Sequence, residues 1–505
     1  MNIKQAKQEI VNTVHAYLAK DDAGEYVIPV ERQRPLLLIG PPGIGKTAIM
    51  EQAARECGIN LVSYTITHHT RQSAIGLPFI SNKKYGDEEV SVTEYTMSEI
   101  IASIHDRIEE SGIKEGILFL DEINCVSETL APTMLQFLQY KTFGNHRVPD
   151  GFIIVTAGNP PEYNKSVRDF DIVTYDRVKR IYIEEDFAAW KEYAYHAQIH
   201  GAILAYLEIK KKNFYSIVSD VDGKRFVTAR GWEDLSVVMK VYEQQGLPIN
   251  YDFVVQYLQD PEIARDFAVY YELYQKYNQI YRIPELLEGE FPEDVLAIQN
   301  APFDEKLSLI GLLLDALSQE FVTYARWENA QKEFLAQLGY LRIDLKEGKG
   351  SAKELLERQS ESHETMTAHR KKANLLSREE LRTAHDLQKA FDACVRLVTE
   401  SGSGDARSDF GLVKQYFDEQ ENLRQTQIAD TGRHLSNVFD FLSRVFGEGQ
   451  ELVIFLSELS AGYYSLKFVS ECGNEDYYKY NRLLLLKDRG EELTQEVMRI
   501  LALDD

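Results

Sequence analysis

The residues Gly40-Pro41-Pro42-Gly43-Ile44-Gly45-Lys46-Thr47 have the spacing of a loop that wraps a phosphate chain. Its glycines let backbone N–H groups turn inward, and a helix opening at Ala48 aims its positive end at the same anion. In that frame Lys46 reaches the β- and γ-phosphates of ATP and Thr47 ligates Mg²⁺, while Pro41, Pro42, Ile44 and Ala48 belong to the same nucleotide wall. A second run, Gly116 to Leu120, ends in Asp121-Glu122: Asp121 is placed to hold Mg²⁺ through its water shell, and Glu122 to orient and polarise an attacking water. A third, Phe152 to Gly158, ends in Asn159-Pro160, a short amide suited to meeting both the γ-phosphate and that water.

Such groups work together only if strands deliver them to one edge of a sheet. Leu36 to Ile39, Leu61 to Ile66, Ile117 to Leu120 and Phe152 to Ala157 are short apolar runs separated by helical stretches, the pattern of a parallel sheet covered by helices. Ile3, Ala6, Ile10, Val14 and Leu18 fall at helical spacing ahead of them, and Asp21-Asp22-Ala23-Gly24 ends that helix. After about Glu184 strand-like runs nearly vanish. Ser377 and Glu380 form a capping box that starts a helix, Gly348-Lys349-Gly350-Ser351 and Ser401 to Asp405 break helices, and Leu452 to Val469 reads as one buried helix.

Composition narrows the function classes. With 505 residues, two or three domains are expected. A formal charge of -24 repels a nucleic-acid backbone, which argues against a nucleic-acid partner. The sequence offers no apolar run that reads as a bilayer span and no signal segment, so a soluble, cytoplasmic protein is expected. Cys57, Cys125, Cys394 and Cys472 are far apart and read as reduced structural thiols.

The ordered set GPPGIGKT, GILFLDEIN, VTAGNPPEY, Tyr175-Asp176-Arg177 and Thr228-Ala229-Arg230-Gly231-Trp232 resembles the MoxR family of AAA+ ATPases over about the first half of the chain. The resemblance implies that Asn159 is the first sensor, Arg177 the arginine finger, and Arg230 the second sensor, at the opening of a helical lid. Two positions depart from the family pattern: Val178 follows Arg177 where Phe is usual, and Cys125 follows Asn124 where Arg is common. Lys179 and Arg180 compete with Arg177 for the finger's role. The implied organisation is an AAA+ P-loop α/β domain over 1–184, a helical lid over 185–285 and an all-α domain over 286–505. The implied activity is ATP hydrolysis by a ring, a hexamer, that remodels or matures a protein client beside a partner with a von Willebrand factor A domain. Two other classes stay open: a nucleic-acid-dependent motor, and an ATP-gated scaffold with little turnover.

Several features carry a weaker functional reading. Lys141 to Asp150 has hairpin turn chemistry, and as a client-facing loop it would present Phe143, His146 and Arg147. His68-His69 lacks the further ligands of a metal site. Lys210-Lys211-Lys212 and Arg370-Lys371-Lys372 read as solvated helix faces, and 452–469 offers a second reading as a partner surface.

Overall fold

Four apolar residues in succession leave a strand no face to turn toward water, so Leu36–Ile39 and its counterparts must be covered on both sides. A computed structural model describes the chain except residues 69–73, 75, 86–87, 144, 164–169, 171, 221–222, 293–294, 373–374 and 484–505. The described residues form two units. The first is Met1–Ala189 with the short segments Thr228–Arg230 and Thr365–Leu381, and the second is the remainder.

The strands of the first unit are β1 (Leu36–Ile39), β2 (Asn60–Thr65), β3 (Pro78–Tyr85), β4 (Glu88–Tyr95), β5 (Gly116–Asp121), β6 (Thr142–Phe143), β7 (His146–Arg147), β8 (Phe152–Gly158) and β9 (Lys179–Tyr182). Its helices include α1 (Ile3–Leu18), α2 (Lys46–Glu56), α3 (Glu99–Ser111), α4 (Ala131–Tyr140) and α5 (Ile172–Arg177). Five strands make an all-parallel sheet in the order β2-β5-β8-β1-β9, with Leu38 opposite Ala157 and Leu120 opposite Thr156. This is an AAA+ α/β fold. The strand that ends in Asp121 is therefore not next to the one that feeds the glycine loop, because β8 and its terminal Asn159 lie between them.

Ile117, Leu118, Phe119 and Leu120 have no solvent exposure, and α3 packs Ile100, Ile101 and Ile104 into the core that Leu118 and Leu120 enter. Truncating one such side chain to Ala typically costs about 2–5 kcal/mol. Helix α1 opens on a reciprocal cap, Asn2 with Gln5, and buries Ala6, Ile10, Val11 and Val14.

One hairpin of this unit is read correctly in place but not in exposure. The predicted hairpin β6–β7 exists, but Phe143 is 1% exposed and stacks on Phe137 with ring centroids 3.9 Å apart. Phe143 is thus a core residue and not a client-facing one, because the short turn folds its aromatic back onto α4. His146 meets the Tyr95 carbonyl oxygen and Arg147 the Glu31 carboxylate. The pair β3–β4, which alternation alone did not reveal, is the long exposed hairpin, with Ile80 77% exposed.

The second unit is built from helices and one hairpin, β10 (Ser216–Asp220) with β11 (Gly223–Val227). Its longer helices, counting three that begin within the first unit and one that ends there, are α6 (Phe187–His196), α7 (Gly201–Ile209), α8 (Ala229–Gln245), α9 (Pro261–Tyr281), α10 (Phe303–Lys346), α11 (Ala352–Lys372), α12 (Arg378–Ser401), α13 (Ala406–Phe446), α14 (Gln450–Ala461) and α15 (Tyr463–Cys472). The capping box forms as read: the Ser377 N–H donates to Glu380 Oε2 at 2.7 Å and the Glu380 N–H to Ser377 Oγ at 3.1 Å, one residue ahead of α12. Phe334, Leu338, Leu355, Phe391 and Val413 bind α10 to α13 into one apolar core.

Two expectations change here. The stretch 452–469 is not one helix: α14 and α15 meet at Gly462 with an 88° bend, where a side chain would press on Ser465 Oγ at 2.5 Å. Helix α10 is long and apolar enough to cross a membrane, where the sequence reading expected no such run. Leu309, Leu313, Leu317 and Phe321 of α10 are instead buried within the unit, where the helix packs on α7, α13 and α15.

Candidate active site

The glycine loop leaves β1 and enters α2 at Lys46, and two of its residues take backbone conformations that side chains disfavour: Gly43 at φ +74° and Gly45 at φ +99°. Gly40 serves by closeness instead, since a Cβ there would lie 2.7 Å from the Ile183 carbonyl oxygen. The loop is a cradle that larger residues would fill.

Lys46 is buried and its ammonium donates to three oxygens: Gly40 O at 2.7 Å, Pro41 O at 2.8 Å and Asn159 Oδ1 at 2.9 Å. Burial lowers its pKa to about 8; Arg230 pushes the same way, while Asp121 and Glu122 oppose. The Thr47 hydroxyl donates to Asp121 Oδ2 at 3.1 Å, and Asp121 Oδ1 accepts the Glu122 N–H at 2.8 Å. Hydroxyl and carboxylate side by side are a hard-oxygen pair of the kind that holds Mg²⁺. Glu122 itself sits at φ +57°, where the chain turns sharply off β5.

The structure therefore brings Lys46, Thr47, Asp121, Glu122 and Asn159 together at the ends of β1, β5 and β8. Arg230 joins them through its backbone: its N–H donates to Gly43 O at 3.1 Å as α8 begins. Arg177 does not join. It is exposed at the end of α5, and its guanidinium donates to Gln139 Oε1 at 2.5 Å. Of the neighbouring cations, Lys179 is held by Glu9 and Thr13, and Arg180 lies over the Tyr175 ring at 4.6 Å. Val178, in place of the usual Phe, is buried in the sheet core.

Residues 36–175 match the family model described as ATPase family associated with various cellular activities (AAA). The chain carries an AAA domain. That domain binds nucleotide and is of the AAA+ ATPase type; Arg177 and Arg230 lie beyond the matched span. Comparison with curated proteins gives no match.

Two residues of the AAA domain site escaped the sequence reading. Thr67 Oγ1 donates to Glu122 Oε2 at 2.9 Å, fixing one oxygen of that carboxylate. Asn124, buried, donates from Nδ2 to Asn159 O at 2.8 Å and fills the space over Gly158, where a Cβ would meet it at 2.6 Å. An uncharged amide two residues after the acidic pair Asp121-Glu122 is a signal for Asn124; nothing in sequence flags Thr67, since β2 and β5 meet only in the sheet.

The discarded readings also have positions. Lys210 pairs with Asp266, Lys211 with Glu208, Arg370 with Glu380 and Lys372 with Glu110, so two of the three cations in each run have acidic partners. Among the described residues no group of His, Cys, Asp and Glu is arranged to hold a metal ion; His69 lies outside them. None of the four cysteines is in a disulfide.

Proposed function

We propose that the chain is a MoxR-like AAA+ ATPase that works as a ring, a hexamer on the family's pattern, and remodels a protein partner. The observation that carries this reading is the hydrogen-bonded group Lys46–Asn159 and Thr47–Asp121–Glu122, which assembles the hydrolytic residues at one sheet edge. Lys46 would exchange its carbonyl partners for β- and γ-phosphate oxygens, and Thr47 with Asp121 would hold Mg²⁺, which neutralises charge on those oxygens when bound. Glu122, held by Thr67, polarises the attacking water, and Asn159 spans from Lys46 toward the same point. Arg230, on the first turn of α8, reports the state of the loop to the helix it begins.

Arg177 supports the ring. It has no link to its own site among the described residues, while Lys179 and Arg180 are occupied elsewhere, so Arg177 is the cation available to a neighbouring subunit's nucleotide. The client, a companion with a von Willebrand factor A domain, and a cytoplasmic location belong to this proposal through the family resemblance; free cysteines fit a reducing compartment.

The test is Glu122→Gln, assayed by phosphate release and by ATP binding. We expect turnover to fall about 10²–10⁴-fold with binding retained. Unchanged turnover would favour an ATP-gated scaffold, and a DNA-stimulated rate that disappears with salt would favour a nucleic-acid motor.

A further inference from the structure

The hairpin β3–β4 is a sheet of two strands only, each of 8 residues, so each strand has one edge with no strand beside it. Its base is tightly closed. The Leu77 N–H donates to Thr96 Oγ1 at 2.9 Å, the Thr96 N–H to the Leu77 carbonyl oxygen at 2.9 Å, and a Cβ on Gly76 would lie 1.9 Å from the Thr96 carbonyl oxygen. From there the register runs without a bulge, from Pro78 opposite Tyr95 to Tyr85 opposite Glu88. A long, regular strand edge is a template for another strand, which is why edges are usually shortened, bulged or covered.

The bonded pair Leu77–Thr96 decides which groups face outward. Bonded and non-bonded pairs alternate along an antiparallel ladder, so Phe79, Ser81, Lys83 and Tyr85 bond inward to β4, and the N–H and C=O groups of Ile80, Asn82 and Lys84 point away from it. On β4 the outward groups are those of Glu89, Ser91, Thr93 and Tyr95. The Tyr95 carbonyl oxygen, as an outward group should, meets a residue outside the hairpin, His146, at 3.0 Å. Ile80, Asn82, Lys84, Glu89, Ser91 and Thr93 are all exposed, and their outward backbone groups have no protein partner among the described residues.

The two edges differ in charge. β3 carries Lys83 and Lys84 and no acid, whereas β4 carries Glu88, Glu89 and Glu94 and no base. Two β3 edges or two β4 edges brought together repel, and a β3 edge attracts a β4 edge. A surface that fits a different surface of an identical chain makes a head-to-tail contact, the kind that closes into a ring.

We propose that β4 of one copy pairs with β3 of the next, so that the occupant of each edge is a second copy of this chain. This pairing rests on the ring of the proposed function and names strands that hold it together. Rotation about a ring axis that runs along the strands keeps the hairpin tips level and the strand directions unchanged. β4 then lies antiparallel to β3 of the next copy, with Glu89 opposite Lys84, Ser91 opposite Asn82 and Thr93 opposite Ile80. Each of these pairs exchanges two backbone hydrogen bonds, and the first also joins opposite charges.

The test uses the full chain with ATP. Asn82→Cys and Ser91→Cys are made separately, mixed and mildly oxidised, and the bonded peptides are identified by mass spectrometry, which tells them from the four native cysteines; light scattering measures assembly. We expect a disulfide between position 82 of one chain and position 91 of another in the mixture, and no 82–82 or 91–91 bond in either variant alone. Asn82→Pro removes an N–H that the hairpin does not use internally, and should raise the concentration needed for assembly about tenfold with ATP binding unchanged. Assembly without the 82–91 bond, same-position disulfides, or a folded Asn82→Pro chain that assembles like the native one would overturn the pairing and leave the ring reading standing. A chain that stays monomeric at every concentration would overturn both.

Discussion

Two regions of the first unit hold cations and treat them in opposite ways. Around Lys46 the ammonium has three oxygen partners supplied by its own chain, and the neighbouring Thr47, Asp121 and Glu122 are bonded to one another. At the end of α5, Arg177 is exposed and meets one uncharged carboxamide. The first region is prepared inside a single chain to bind a triphosphate. Under the proposed function the second serves a neighbouring subunit, since an amide is easily exchanged for a charged oxygen.

The strongest way to break that comparison is Arg177→Ala. Removing an arginine finger lowers turnover about 10³–10⁵-fold, and ATP binding should survive. Mixing this variant with Lys46→Ala should restore part of the activity, because each supplies what the other lacks. Failure to complement, with assembly intact by light scattering, would place the guanidinium's role within its own chain.

A smaller effect sharpens the Lys46 side. With its pKa lowered to about 8 against an ordinary 10.5, the free protein carries a neutral amine above that point, while a bound triphosphate requires the ammonium. ATP affinity is therefore expected to be level below about pH 7 and to weaken as pH rises through 8, approaching roughly tenfold per unit. The stability linkage has its own sign: between about 8 and 10.5 the unfolded chain binds more protons at this lysine, so folding stability gains with pH in that window. Lys46→Arg, always charged, should lose the step in affinity; a step that persists would assign it elsewhere.

The smallest effect concerns Thr67. Thr67→Val keeps the shape and deletes one hydrogen bond to Glu122, about 0.5–1.5 kcal/mol, so a several-fold loss of turnover with unchanged ATP affinity is expected. Steady-state kinetics decide it: a change confined to affinity would remove Thr67 from the positioning of Glu122.

Much of the site was legible because it is local. Eight residues from Gly40 to Thr47 contain both the glycines that permit the turn and the groups that use it. Asp121 and Asn159 were legible as the polar ends of apolar runs. The reversal at 141–150 was legible too, but its burial was not, for a reason visible in Phe143: turn chemistry announces that a chain reverses, but whether the loop is buried depends on what packs beneath, here Phe137. The break at Gly462 was missed because apolar periodicity continues across it, and only the 88° turn tells α14 from α15. Helix α10 passes for a bilayer span by composition for the same reason, since burial against helices and burial in lipid ask for similar side chains.

The sequence by itself determined the phosphate loop, the acidic strand end, the amide strand end and the parallel sheet they imply, because each rests on contacts within a few residues or on burial of whole strands. Tertiary structure alone decided that β8 stands between β1 and β5, and so that Asn159 meets Lys46; and that Thr67 holds Glu122. Those pairings join residues tens to more than a hundred positions apart, where no spacing rule operates and only the packing of strands and helices brings polar atoms within hydrogen-bond reach.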